Sequence, residues 1–171
     1  MSKSITEYWK TRSNLYELHL EELPIDYLGS PFDRFKVLYF YLLDEPNIQN
    51  NLEGVSIQYS VQSIKAIVIS FLEKYLDPLQ DILWYEPSNL NQDGRQHLRL
   101  LKFRRWFQHY PFNDQWLMKE IQTISQAEHV SQYYIFIISE HHPYKDQLVT
   151  LLGDKKLLQI WGFDKETLPI E

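Results

Sequence analysis

The chain has 171 residues, of which 44% are hydrophobic and 15% aromatic, with no cysteine and a formal net charge of −6. The lack of cysteine excludes disulfides, zinc–thiolate sites, iron–sulfur clusters and thiol nucleophiles. The length and the apolar content predict a single α+β domain over residues 1–171, and the absence of an apolar leader or membrane span predicts a cytoplasmic protein without membrane association.

The N-terminal part of the sequence predicts two strands. Residues 15–23 alternate between apolar and polar side chains, as half-buried strands do. Residues 35–43 are apolar on both parities, which is typical of a central strand, and we expect the two strands to pair as a hairpin. Residues 44–54 are predicted to form a loop. Tyr8 and Trp9, which precede the first predicted strand, are expected to pack against the sheet as a hydrophobic clasp or to contact a partner.

The middle of the sequence predicts helices. Apolar residues recur every three or four positions over 57–76, which predicts one continuous helix that Pro78 ends. A short strand at 82–85 and a polar loop follow. We then expect a second helix over 95–110 and a third over 114–128, the third with Trp116, Ile121 and Ile124 as its buried residues.

The C-terminal part adds a central strand at 133–138 and a helix from His142-Pro143 to near Gly153. The apolar tail, 155–171, is expected to dock on the body of the protein. These elements together predict a two-layer α+β fold, in which a mainly antiparallel sheet of four or five strands packs against three or four helices.

One stretch of the chain resembles a known family. It comprises Ile82-Leu83-Trp84-Tyr85, Asp93-Gly94-Arg95-Gln96, Arg99 and Phe103-Arg104-Arg105-Trp106-Phe107. This order is similar to the signature of an uncharacterised family of small bacterial proteins, a domain of unknown function in which a strand leads through an Asp-Gly-Arg-Gln turn to an Arg-rich Trp-Phe helix. The resemblance covers roughly residues 55–150, departs from the family in a longer loop over 86–92 and in lacking a cysteine at the strand end, and implies no activity.

The helix predicted over 95–110 concentrates positive charge, since no acidic residue lies between Gly94 and Asn113. At 100° per residue, an apolar side separates from a basic stripe. The stripe contains Arg95, Arg99, Lys102, Arg105, Trp106 and His109. Arginine binds carboxylates and phosphates in bidentate geometry, so the stripe is predicted to engage an acidic protein partner or nucleic acid. The alternative is internal pairing with the acidic residues Glu17, Glu21 and Glu22.

A second candidate site follows the strand predicted at 133–138. His142, with Tyr144, Glu140 and Arg99, would suit the acid–base chemistry of a metal-independent ribonuclease, provided that the imidazole and the guanidinium reach one phosphate. No third ligand accompanies the adjacent histidines, so no metal site is predicted. No nucleotide-binding or hydrolase motif occurs, and no cofactor is expected.

The leading hypothesis is therefore a small cytoplasmic binding protein whose basic helix engages an acidic protein partner or nucleic acid, in the setting of a bacterial toxin–antitoxin or defence module. Two alternatives stay open. One is the metal-independent ribonuclease, and the other is an obligate subunit of a homo- or hetero-oligomer in which the same surface packs against another chain.

Overall fold

The structure is a computed structural model that describes residues 3–23, 35–43, 52–87, 95–125, 131–154 and 167–169. The strands in these ranges are Ser4–Lys10 (β1), Leu15–Leu23 (β2), Phe35–Leu43 (β3), Ile57–Tyr59 (β4), Ile82–Tyr85 (β5), Trp116–Ser125 (β6), Ser131–Ser139 (β7) and Thr167–Pro169 (β8). The helices are Ile64–Tyr75 (α1), Gln96–Gln108 (α2) and Lys145–Leu152 (α3), with a 3₁₀ turn at Asn113–Gln115.

All of these strands belong to one mixed sheet in the order β4-β1-β2-β3-β5-β7-β6-β8. The β1–β4 and β3–β5 pairs are parallel, and the other pairs are antiparallel. The α+β class and the β2–β3 antiparallel pair agree with the sequence analysis. The predicted number of four or five strands is wrong, because β1, β4, β6 and β8 were not anticipated as strands.

The predicted two-layer arrangement is also wrong, because helices pack on both faces of the sheet. On one face, α1 and α2 enclose a cluster that includes Leu38, Leu83 and Ile137. On the other face, α3 packs on a second cluster that includes Phe35 and Phe136. The central strands are apolar on both parities, so each of their faces must be covered to remove it from water.

The helix predicted over 57–76 is shorter than expected and begins at Ile64. Ser63 caps it, with its hydroxyl accepting a hydrogen bond from the Ala66 amide. The preceding Ile57–Tyr59 instead forms β4, which pairs in parallel with β1. Val61 belonged to the predicted apolar stripe but is 81% exposed, so the periodic pattern extended beyond the segment that packs.

The helix predicted over 114–128 is wrong in kind, because Trp116–Ser125 is strand β6 and pairs with β7 along its length. The helical interpretation rested on the spacing of Trp116, Ile121 and Ile124. In the structure, Ile121 packs beside α3 while Trp116 lies on the α1–α2 face. Strand geometry sends successive side chains to opposite faces, which accounts for this division.

The other main elements follow the sequence analysis. The runs 35–43 and 133–138 lie in strands with neighbours on both sides, and α2 and α3 occupy the predicted helical regions. Most of the predicted loop at 44–54 and of the tail at 155–171 falls outside the described ranges. Among the described helices, none combines the length and the apolar character needed to cross a membrane.

Candidate partner-binding site

Helix α2 lies on the sheet between α1 and strand β6. Its residues Leu100 and Phe103 are buried against the sheet. On one flank, the Tyr110 hydroxyl, just beyond the helix end, donates a 2.6 Å hydrogen bond to Glu73 of α1. On the other flank, Arg104 pairs in bidentate fashion with Glu120 of β6, with its Nε atom 2.7 Å from the carboxylate. These contacts fix which side of α2 faces which neighbour.

The predicted basic stripe follows the α1-facing flank of α2 and its solvent side. Lys102 lies four positions before Trp106 and His109 three positions after it, and both are therefore on the same side of the helix. Arg105 points more directly to solvent. Arg95, Lys102, Arg105 and His109 are exposed, and Arg99 and Trp106 are half-buried. The structure thus brings the predicted partner-binding residues together along one surface.

Trp106 serves mainly to hold α2 on the sheet. Its ring lies 6.0 Å from that of Phe40 on β3 and 6.3 Å from that of Phe103. The Lys102 ammonium group lies 5.3 Å from the indole centroid, in a cation–π contact. Stacking of Tyr85 on Phe40 and Phe103 extends the same cluster to β5. The indole is therefore already engaged by protein groups and is not an open platform for a nucleobase.

Arg99 lies beside the buried Tyr85 at the sheet end of this cluster. Burial raises the pKa of the Tyr85 phenol, and the positive charge of Arg99 opposes part of that rise. Among the cations of the stripe, Arg99 is half-buried, whereas Lys102 and Arg105 are exposed.

A groove of about 370 Å³ separates α1 from α2 beside the stripe. Its floor is formed by Leu83 and Ile137 of the sheet. Its walls are mostly apolar and include Leu72 and Leu76 from α1 and Phe103, Trp106 and Phe107 from α2. The volume is within the range of sites that hold an apolar ligand or a few side chains of a partner. The sequence analysis missed this groove, because it depends on the spacing of two helices that are not adjacent in the chain.

The rim of the groove carries the Glu73–Tyr110 hydrogen bond. Burial and this bond to the carboxylate raise the pKa of Tyr110 to about 12, so the phenol is protonated at neutral pH and acts as the donor. The bond links α1 to the segment after α2. Among the described residues that line the groove, Glu73 is the acidic one, and it lies on the α1 side.

Two of the acidic residues of β2 to which the alternative of internal pairing refers, Glu17 and Glu21, alternate with apolar residues that face the helices. Leu18 and Leu20 point to the helices. The alternating Glu17 and Glu21 therefore lie on the opposite face of the sheet. On that face Glu17 is the hydrogen-bond partner of Tyr8. Burial raises the pKa of the Tyr8 phenol most, and the charge of Glu17 and its hydrogen bond raise it further.

Glu22 and Glu120 complete this comparison. Glu22 lies opposite Lys36 in the β2–β3 pairing. The acid that does pair with α2 is Glu120, which the sequence analysis did not consider because its segment was interpreted as a helix. Its partner is Arg104, which lies outside the stripe.

The residues of the second candidate site have structural contacts. His142 is 6% exposed, and its Nδ1 atom accepts a 3.1 Å hydrogen bond from the Tyr144 amide. Glu140 forms an ion pair with Lys145, with 2.7 Å between its Oε2 atom and the ammonium nitrogen. Tyr144 is 38% exposed, and its ring centroid lies 5.9 Å from that of His142. These three residues form the turn between β7 and α3.

Arg99 does not join that turn. It lies beside Tyr85, which pairs with Ile135 on β7, whereas His142 follows Ser139 at the far end of the strand. Four strand residues alone correspond to about 13 Å. Arg99 and His142 are thus associated with different ends of β7. In the same described ranges, no group of three or more histidine or acidic side chains is arranged to hold a metal ion.

Comparison with known proteins adds no relative: no family model matches the chain, and neither a curated protein nor a solved structure matches it significantly. The resemblance to an uncharacterised family of small bacterial proteins stays a prediction.

Proposed function

We propose that this protein is a binding protein that engages an acidic protein partner through the exposed flank of α2. The observation that carries the proposal is the outward exposure of Lys102 and Arg105. Neither side chain forms an ion pair with an acidic residue in the part of the chain that the structure describes. Exposed cations of this kind favour a partner that carries carboxylates.

Two features favour a protein over nucleic acid as that partner. The aromatic residue of the stripe, Trp106, is half-buried and packed against Phe40 and Phe103, so it is less available to stack on a base than an exposed ring would be. The surface beside the stripe is an apolar groove, which suits hydrophobic side chains better than a phosphate backbone. The net charge of −6 also disfavours non-specific attraction to nucleic acid.

The proposal is tested by removing the charge of the flank in the variant Lys102→Gln/Arg105→Gln. Fluorescence anisotropy would measure binding to labelled polyglutamate and to single-stranded DNA and RNA at several salt concentrations. We expect the unaltered protein to bind polyglutamate in a salt-sensitive manner and the variant to bind it at least tenfold more weakly. Both side chains are exposed, so the fold should be little affected.

The matched control is Arg12→Gln/Lys119→Gln, which changes the net charge equally but away from α2. It should retain most of the polyglutamate affinity. Equal losses in both variants would contradict a specific role for the flank. Tighter binding of the oligonucleotides than of polyglutamate at physiological salt would contradict the choice of a protein partner.

A further inference from the structure

The groove beside the basic stripe has the length of two helical turns. Its wall on α1 extends from Val68 to Leu76, and its wall on α2 from Phe103 to Tyr110. At a rise of 1.5 Å per residue, these walls are about 12 Å and about 10 Å long. A docked helix presents its anchors at positions i, i+3 or i+4, and i+7, which span about 10 Å.

The surroundings of the groove make this surface amphipathic. Lys102 and His109 lie on the α2 rim, on the same side as Trp106. Phe112, which also lines the groove, is 52% exposed. The described acidic residue of the rim, Glu73, lies on the α1 side and is held by Tyr110. An occupant therefore needs an apolar face, with negative charge on the side that meets α2.

We infer that the groove receives an amphipathic α-helix of a partner protein, with apolar anchors between α1 and α2 and acidic residues against the α2 rim. This inference rests on the proposed function and specifies the partner's binding element. A strand is disfavoured as the occupant, because the sheet strands under the groove, β5 and β7, already have neighbours on both sides. The charge complementarity on the α2 rim selects an acidic helix over a basic one.

The probe is a synthetic amphipathic peptide of about five helical turns, with leucines at the anchor positions and glutamates along one flank. Two control peptides separate the contributions. In one, lysines replace the glutamates. In the other, the shuffled peptide, the same residues are rearranged so that the leucines no longer share one face of the helix. Isothermal titration calorimetry with the full chain should show binding of the acidic peptide and at least tenfold weaker binding of both controls.

Variants of the protein locate the peptide. Leu72→Gln makes the α1 wall polar, and Ile69→Phe adds bulk at the groove. Each variant should therefore bind the acidic peptide at least tenfold more weakly than the unaltered protein does. Val61→Gln is the matched control, because Val61 is 81% exposed and outside the groove, and it should leave the affinity unchanged. Circular dichroism and thermal melting would confirm that each variant is folded, and either of the two groove variants suffices for the test.

The outcomes distinguish failure of the inference from failure of the proposed function. If Lys102→Gln/Arg105→Gln weakens the acidic peptide but the groove variants and the shuffled peptide do not, the docked helix is refuted while the charged flank is retained. If the lysine peptide binds as well as the acidic one, both are refuted. If decanoate binds the groove and no peptide does, the groove belongs to an amphiphilic small molecule and the inference is overturned.

Discussion

Glu7 on strand β1 accepts three side-chain hydrogen bonds, two of which join the sheet to helix α1. Its carboxylate accepts from the Tyr75 hydroxyl at 2.6 Å, from the Lys74 ammonium at 3.0 Å and from the Trp9 indole nitrogen at 2.9 Å. Burial acts to raise the pKa of Glu7, but hydrogen bonds from Tyr75, Lys74 and Trp9 outweigh burial and lower it below its ordinary value. The sequence analysis assigned the adjacent Trp9 a clasping role, and it packs at the edge of the α1–α2 core.

We predict a pH-dependent loss of stability in Glu7→Gln. The lowered pKa means that the carboxylate stabilises the fold fully above its ordinary pKa of about 4.5 and ceases to do so as the pH falls through the lower folded-state value. At neutral pH, Glu7→Gln should therefore cost about 1–2 kcal/mol, the scale of hydrogen bonds to a charged group. Urea unfolding at a series of pH values would measure the difference.

The control for this prediction is Glu53→Gln, which alters an exposed glutamate. Its free energy of unfolding should equal that of the unaltered protein at each pH measured. A Glu7→Gln difference that stayed constant from neutral pH down to pH values well below 4.5 would show that the carboxylate charge is not the stabilising group.

His142 is buried, and its Nδ1 atom has a structural contact, while its Nε2 atom has no hydrogen-bond partner among the described residues. Its Nδ1 atom accepts from the backbone amide two residues later, a contact that an asparagine side chain can reproduce. We predict that His142→Ala destabilises the protein by about 1–3 kcal/mol, since the Tyr144 amide loses its partner, and that His142→Asn recovers part of this loss. Thermal melting would measure both variants.

The same variants test the ribonuclease alternative. Incubation with labelled RNA in EDTA should leave the RNA intact with the unaltered protein and with His142→Ala. EDTA-resistant cleavage that disappears in His142→Ala would assign the imidazole a catalytic role and contradict the structural interpretation.

At the scale of elements, the sequence predicts those strands and helices whose apolar residues either follow one clear period or form an unbroken apolar run. Strands β2, β3, β5 and β7 and helices α2 and α3 are of this kind. Strand β6 is not, because Lys119 and Glu120 occupy successive positions on its two faces and remove the simple alternation. Glu120 lies toward the helices only because Arg104 supplies its partner, and no local pattern contains that pair.

Strand β1 was missed for a related reason. Its helix-facing positions are Ile5, Glu7 and Trp9, and the buried carboxylate interrupts the apolar parity. For the site, the sequence supplied the stripe on α2, since helical spacing is a local property. It did not supply the groove or the separation of Arg99 from His142, which depend on the strand order.

The ion pair between Lys36 and Asp81 connects strand β3 to the turn before β5. The Lys36 ammonium lies 2.6 Å from the Asp81 carboxylate and 2.7 Å from the Tyr75 carbonyl oxygen at the end of α1. The two side chains are 14% and 0% exposed, and Asp81 also accepts from the Asp77 amide. The pair therefore joins β3, α1 and the turn before β5.

We predict that Asp81→Ala destabilises the protein by about 3–5 kcal/mol, because it leaves the Lys36 ammonium buried without its counter-ion. In Lys36→Met/Asp81→Ala the uncompensated charge is absent, so part of the loss should be recovered. Chemical unfolding of both variants measures this. Asp146→Ala is the control, since the Asp146 side chain is 96% exposed. A loss for Asp81→Ala as small as that of the control would exclude a structural role for the pair.

At the scale of the whole molecule, the sheet separates two kinds of charged surface. The side covered by α1 and α2 carries the basic flank and the groove, and the other side carries Glu17 and Glu21. A sheet with apolar central strands and helices on both faces keeps the exposed Lys102 and Arg105 apart from Glu17 and Glu21, while Arg104 of α2 pairs with Glu120 on the same side of the sheet. The net charge of the chain therefore conceals a basic surface, which the sequence disclosed only as a local run.

The most direct test of the account is photo-crosslinking in native cells with benzoylphenylalanine at Leu98. This residue is 60% exposed on α2 and lies beside the basic flank, so the replacement leaves all of the cations in place. Asp146, exposed on α3 at the other face, is the control position. We predict that Leu98 captures a protein whose crosslinked segment is acidic and that Asp146 does not. Capture of nucleic acid or of a second copy of this chain from Leu98, or equal capture from Asp146, would contradict the account.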